Sequence, residues 1–409
     1  MRKKPGLTVL FLFLVCAAAV LLYANTKLSG APMNRIGTGP VGTEIAEYGT
    51  AVPERGTENP LTYGNVSDGV TEPNPEAGQE LSAEAVPTPT PEPEYVYRIP
   101  ENSLVGMPPV PDGFYVSKDA GELAAFLERE DVRKLIGDRT LVWNAETERI
   151  PDTSVRWYFD ETILCIVWQE VEAEAVGTFS EVIIADGSQL RRKISSDELW
   201  SFAFETTSQF AADTDAVLAF GGDFYYHGRA CGIGFYQREL YRFEPKSCDT
   251  CWVTADGDLL FTYREQIMEE EAAKRFAEEN DVLFTLVFGP VLIDEYRDVT
   301  PELYLWGETE DTYARAALGL MDRHHYLTMN INCGPVGTEY YHLATLRQAT
   351  EAMLKKGCRK AYALDGGQTA TTVFGGQLIN PVQFGVEKEI SDIIYFASAV
   401  GAERQILPE

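Results

Sequence analysis

Ala361-Tyr362-Ala363-Leu364-Asp365-Gly366-Gly367-Gln368-Thr369-Ala370-Thr371-Thr372-Val373-Phe374 is the stretch on which the reading of this chain turns. An apolar strand runs into a carboxylate, two glycines and several small hydroxyl residues, and a second strand follows. Paired glycines let the backbone adopt φ > 0 and leave amide N–H groups uncovered by any side chain. An acid at a strand end, bare amides behind it and hydroxyls beyond it suit a sugar or a phosphate. The same residues also spell a tight turn in which Asp365 serves its own local amides, because Asp-Gly is a strong hairpin signal. On these residues alone both readings stay open.

Around this stretch lie 409 residues, 45% of them apolar, enough for two or three domains with a real core. A formal net charge of −29 sets the bulk of the protein against nucleic acid and anionic lipid. A phosphorylated substrate stays compatible with that charge, since one local Arg governs a small site. Seven cysteines are scattered, with Cys16 in an apolar N-terminal run. Cys248 and Cys251 form a C-x-x-C whose zinc reading would need a second pair. The pair reads as a local disulfide or as two buried thiols. No EF-hand or His-rich spacing is present, so no metal and no cofactor are expected.

Arg2, Lys3 and Lys4 precede an uncharged run from Leu7 to Tyr23. As a helix this run spans roughly 25 Å, close to a hydrocarbon core. Its basic flank predicts an inside N-terminus and an extracytoplasmic remainder. Residues 1–27 are therefore expected to be a basic tip and single-pass signal anchor in the cell membrane. The exit Tyr23-Ala24-Asn25-Thr26 is a poor small-x-small cleavage site. Residues 28–100 are rich in Pro, Thr, Gly and Glu, a composition expected to form a disordered, self-repelling tether.

Beyond residue 100, hydrophobic spacing predicts helices at 120–136, 195–212, 263–280 and 343–356. Strands are expected at 141–143, 163–168, 182–184, 217–220, 232–241, 252–263, 283–293, 317–321, 326–332 and 390–400. The irregular alternation predicts an α+β fold, a mixed β-sheet domain with flanking helices, in place of a doubly wound parallel sheet.

Five stretches, part of the opening one among them, give the chain a family likeness. Leu218-Ala219-Phe220-Gly221-Gly222-Asp223-Phe224-Tyr225-Tyr226, Phe288-Gly289-Pro290-Val291-Leu292-Ile293 and Ala314-Arg315-Ala316-Ala317-Leu318-Gly319 are three of them. Leu364 to Thr371 and Glu389 to Phe396 complete the set. In this order they resemble the phosphodiester glycosidases, over about 180–401, with 101–179 as a preceding N-terminal part. The resemblance implies hydrolysis of a sugar joined through its anomeric carbon to a phosphodiester, in cell-envelope or exopolysaccharide glycan.

Such a substrate already carries a good leaving group. The site must stabilise charge at phosphate, offer a carboxylate to the oxocarbenium-like centre or the water, and donate to sugar hydroxyls. The resemblance points to Asp223, Arg315 and Asp365 as catalytic, Arg315 gripping phosphate with its planar fork. Gly221, Gly222, Asn332, Gly366, Gly367, Thr369 and Thr371 would bind substrate. His325 is expected to be structural, and His227 follows the Asp223 turn. The family pattern carries Asn where this chain has Gly221, Asp where it has Asn332, Arg where it has Gly334, and Ser where it has Thr369. These departures motivate a second reading: a catalytically impaired relative that binds glycan phosphodiesters or scaffolds an envelope complex.

Overall fold

The computed structural model describes residues 95–199, 203–223, 232–245, 248–266, 268–304 and 307–406. The expected anchor, nearly all of the tether, and His227 lie outside them. Among the described residues no helix is long and apolar enough to cross a membrane.

From Pro87 onward the chain forms one compact unit built mainly on two sheets. The larger has nine strands, in the order Arg297–Asp298, Val291–Asp294, Lys360–Leu364, Arg315–Asp322, His325–Asn332, Ala175–Ile184, Ile163–Glu172, Val155–Asp160 and Phe114–Ser117. The smaller has five: Gln377–Leu378, Thr372–Phe374, Ala216–Gly221, Asp392–Ala397 and Leu190–Ile194. All pairings within both sheets are antiparallel. The class is α+β with sheet dominating, and the segment 101–179 is woven into the same sheet as the residues that follow it.

Side-chain alternation shows how the layers stack. On Ile163–Glu172, Ile163, Cys165 and Val167 enter one core, while Leu164, Ile166 and Trp168 enter another. On Asp392–Ala397, Ile394 and Phe396 join the first core, and Ile393, Tyr395 and Ala397 a third. The first core therefore lies between the sheets. The second lies under the helices Ala120–Leu127, Glu130–Ile136 and Leu346–Lys355, and the third under Thr207–Asp213. Helix, sheet, sheet and helix form four layers. Thr206 and Thr345 start their helices with reciprocal capping boxes to Gln209 and Gln348.

Several elements are shorter than their hydrophobic spacing predicts. The expected helix 120–136 is two helices, 195–212 keeps only Thr207–Asp213 as α-helix, and 263–280 shortens to Glu270–Glu279. The expected strand 232–241 folds back between Gly232–Tyr236 and Glu239–Glu244, through Gln237 and Arg238 at φ 48° and 66°. Two successive left-handed residues give a hairpin turn matched to strand twist, here without its usual Asn-Gly signature. Likewise 252–263 and 283–293 are each two strands.

The expected strand 141–143 is no strand at all. The amides of Val142 and Trp143 instead donate to the two carboxylate oxygens of Glu181 at 2.7 and 2.9 Å. Glu181 is buried and also meets His325 Nε2 at 2.8 Å, which gives His325 a structural task. Removing this carboxylate strands three polar groups, one part-buried and two buried. Glu181→Ala is expected to cost on the order of 3 kcal/mol in urea unfolding, with Glu181→Gln costing clearly less.

Candidate functional site

The strand register carries the widely spaced motifs to one end of the two sheets. Arg315 opens its strand opposite Ile331, the residue before Asn332. Ala316 pairs with Leu364, so Arg315 and Asp365 lie one step beyond the last rungs of the same ladder. There the chain leaves the large sheet. The Asp365 amide donates to the Gly222 carbonyl at 3.3 Å, tying the Asp365 turn to the end of Ala216–Gly221 in the small sheet.

Glycines are required where these turns meet. A Cβ on Gly221 would sit 2.1 Å from the Thr369 carbonyl oxygen, and one on Gly366 2.4 Å from that of Ala314. Gly221 is thus a packing necessity in this chain. The side-chain amide that the family pattern places there has no room without moving the Thr369 turn. Gly222 also packs on Asp392, though less tightly, its Cβ position lying 2.8 Å from Asp392 Oδ2.

Several expected ligands are already occupied. The Gly367 amide donates to the Ala314 carbonyl at 2.8 Å, so it is not bare. The Thr369 hydroxyl donates to the Gly366 carbonyl at 2.7 Å. Thr371 is buried against Thr207, hydroxyl to hydroxyl at 2.5 Å. Asn332 is buried too, donating to the Ala370 carbonyl at 3.1 Å and accepting from Asn380 Nδ2 at 2.8 Å. These residues build the back wall of the turn. Cys248 and Cys251 are both buried as thiols with no disulfide between them, the second of the two readings of the C-x-x-C.

Arg315 and Asp223 occupy different surroundings. The half-buried Arg315 guanidinium donates Nε–H to the Ala344 carbonyl at 3.1 Å, reaches the Asp311 carbonyl and lies 5.2 Å from the Tyr313 ring centroid. Burial lowers its pKa to about 10. Asp223 is buried, its Oδ2 accepting from the Val287 amide at 2.8 Å and lying 3.4 Å from Arg192 Nη2. Arg192 Nε donates to Asp392 Oδ2 at 2.8 Å and Nη1 to the Thr285 carbonyl at 2.6 Å. The same Asp392 oxygen accepts the Asp223 amide at 3.2 Å.

Sequence reasoning assigned no role to Arg192 or Asp392. Their signal was charge inside apolar strands, Arg191-Arg192-Lys193 before Ile194 and Asp392 before Ile393-Ile394. Both sit between the sheets because their strands pair through Arg192, Ile394 and Phe220, all on the inner face.

Two acids and one guanidinium make this interior electronegative. Burial pushes the Asp392 carboxyl up, outweighing the pull of Arg192, and Asp223 adds to the rise. Asp365, partly exposed, is pushed up to about 7, chiefly by desolvation. Thr369 and Lys388 pull it down, while Asp223 and Asp392 push it further up. The arrangement offers a proton-exchanging carboxyl near neutrality on a rigid turn. Replacing Arg192 by Met would leave two buried acids uncompensated. The expected loss is about 3–5 kcal/mol in urea unfolding, partly recovered in the Arg192→Met/Asp392→Asn double variant.

Residues 216–397 match the family model for phosphodiester glycosidase. Among solved structures, a zebrafish N-acetylglucosamine-1-phosphodiester alpha-N-acetylglucosaminidase catalytic domain, auto-inhibited by pro-peptide, is similar at 14% identity and TM-score 0.44. The match covers 58% of this chain and 83% of that one. A hypothetical protein from Synechocystis is similar at 14% identity and TM-score 0.40, over 57% of this chain and 62% of its own. No curated protein matches. What the comparisons show is therefore a likeness to the phosphodiester glycosidase family over residues 216–397, the stretch that holds Asp223, Arg315, Asp365 and Asp392.

Proposed function

We propose that the protein hydrolyses a sugar 1-phosphodiester in cell-envelope or exopolysaccharide glycan, held at the outer face of the cell membrane by its N-terminal segment. The observation that carries this reading is Asp365. It is a partly exposed carboxyl with a raised proton affinity, fixed between two sheet ends inside the family's own segment. With a phosphodiester as leaving group the acid step is undemanding, which frees Asp365 to act as base toward water or as partner of the anomeric centre. Asp223 and Asp392 hold negative charge behind it, and that charge favours a developing oxocarbenium ion. Arg315 is proposed to take the phosphate. Its described contacts are carbonyls and an aromatic ring, with no carboxylate among them. The uncharged run Leu7 to Tyr23 and its basic flank support the membrane tether.

One observation favours the alternative, a glycan-phosphodiester binder without turnover. Asn332, standing where the family pattern has an acid, is wholly engaged in holding the turn. Assay of the full chain on a synthetic methyl phosphodiester of N-acetylglucosamine 1-phosphate separates the two. Hydrolysis is expected, with kcat/KM rising as pH passes through about 7. Asp365→Asn should lower the rate by roughly 10²–10⁴ and Arg315→Ala by roughly 10²–10³. Because folding raises the pKa of Asp365, its contribution to stability is full below about 4 and is lost as pH rises through about 7. At pH 8 the Asp365→Asn chain should therefore melt no lower than the parent. Saturable calorimetric binding with no product would favour the binder.

A further inference from the structure

The segment from Ile379 to Ser391 joins the turn's back wall to the last strand, and the features described so far leave its outer surface without a task. It is firmly held at both ends. Asn380 donates to Asn332, to the Ala370 carbonyl and to the Pro381 carbonyl, and accepts the Thr372 amide. At the other end, Glu387 accepts from the Ser208 amide at 3.0 Å and from its hydroxyl at 2.5 Å, while Ile390 and Glu205 exchange backbone hydrogen bonds.

Between these anchors the short turn Gln383–Gly385 packs on the turn Gly367–Thr369, directly after Asp365 and Gly366. Phe384 is 77% exposed there and adopts φ 64°, ψ 10°. A bulky residue rarely takes the left-handed region, and an exposed ring gains nothing from folding. Both costs are sustained on a loop with fixed ends, so the exposure is built in. Lys388, the one cation of the segment, is exposed and acts electrostatically on the Asp365 carboxyl.

We propose that this loop is the sugar-recognition element of the site, with the Phe384 ring stacking on the carbohydrate beside the scissile bond and the Lys388 ammonium taking a phosphate oxygen. The inference rests on the hydrolytic reading above and names which residues select its substrate. A pyranose presents an apolar C–H face to an aromatic ring while its hydroxyls keep their water, so a single exposed ring beside polar groups suits it. An anionic lipid surface does not fit. Glu387 and Glu389 flank the single lysine, and the chain carries a net charge of −29.

The test uses the full chain carrying Asp365→Asn, which suppresses turnover, with two calorimetric probes: the methyl phosphodiester of N-acetylglucosamine 1-phosphate, and inorganic phosphate. Phe384→Ala, and Phe384→Asn, whose side chain tolerates the left-handed region, should each weaken the sugar phosphodiester roughly three- to tenfold and leave inorganic phosphate unchanged. Lys388→Gln should weaken both probes. In the active chain, kcat/KM should fall with the same factors. Unchanged sugar-phosphodiester affinity in both Phe384 variants, or an equal loss for inorganic phosphate, overturns the inference while leaving any hydrolysis standing. Binding that the variants weaken, together with no turnover by the parent chain with Asp365 intact, upholds it and overturns hydrolysis. No binding of the phosphodiester overturns both.

Discussion

A single guanidinium holds together the end of the two sheets that presents Asp365. Arg192, with its side chain 1% exposed, bridges Asp392 on the neighbouring strand and Asp223 on the turn beyond it, and also caps the Thr285 carbonyl of a third element. Desolvating three charged groups costs several kcal/mol for each, and such an arrangement survives only when nearly every lone pair is matched. Here backbone amides add to the guanidinium, since those of Asp223 and Val287 donate to the same two carboxylate oxygens that Arg192 meets. Arg192 lies upstream of residues 216–397, which match the family model, so the strand Leu190–Ile194 supplies the cation for two acids within that match.

That constraint propagates outward through close backbone packing. With Asp392 fixed, Gly222 must approach it without a side chain. Gly222 in turn receives the Asp365 amide, while Gly221 lies against Thr369. The two sheets are thus joined at this end by peptide groups, with little side-chain freedom left in the join. The inner core changes character toward the same end. Tyr326 is followed on the same strand face by Thr328, Asn330 and Asn332, and Val182 is preceded by Ser180 and Thr178. Apolar packing holds the middle of the sandwich, and hydrogen-bonded polar packing holds the turn that presents Asp365.

Much of this was legible in the residues. The strong apolar runs near 163, 217, 326 and 361 are strands, and the amphipathic run ending at 356 is a helix flanked by its capping threonine. The family likeness was legible from five short motifs in order. Less legible were the breaks inside long apolar runs, because turns such as Gln237-Arg238 use left-handed residues that carry no turn signature. The segment 141–143 looked like a strand because its residues are apolar, yet its amides found a carboxylate 38 residues away. Site roles divided in the same way. Asp365 was conspicuous beside two glycines, whereas Arg192, amid other cations, and Asp392, at a strand start, looked like ordinary charges.

By itself, the order of residues determined local matters: which stretches are apolar with period two or 3.6, where glycine permits a turn, and which motifs occur together. It also determined the acidic balance and the lack of a second C-x-x-C beside Cys248 and Cys251. Only the tertiary structure decided which polar groups are spent and which are available. Asn332, Thr371 and the Gly367 amide, promising as ligands on paper, are consumed inside the turn, while Phe384 and Lys388, unremarked in the sequence, stand outside it. The physical reason is that a hydrogen bond or a buried charge pair depends on distance in space, and strand register can set two residues two hundred positions apart, such as Arg192 and Asp392, within 2.8 Å.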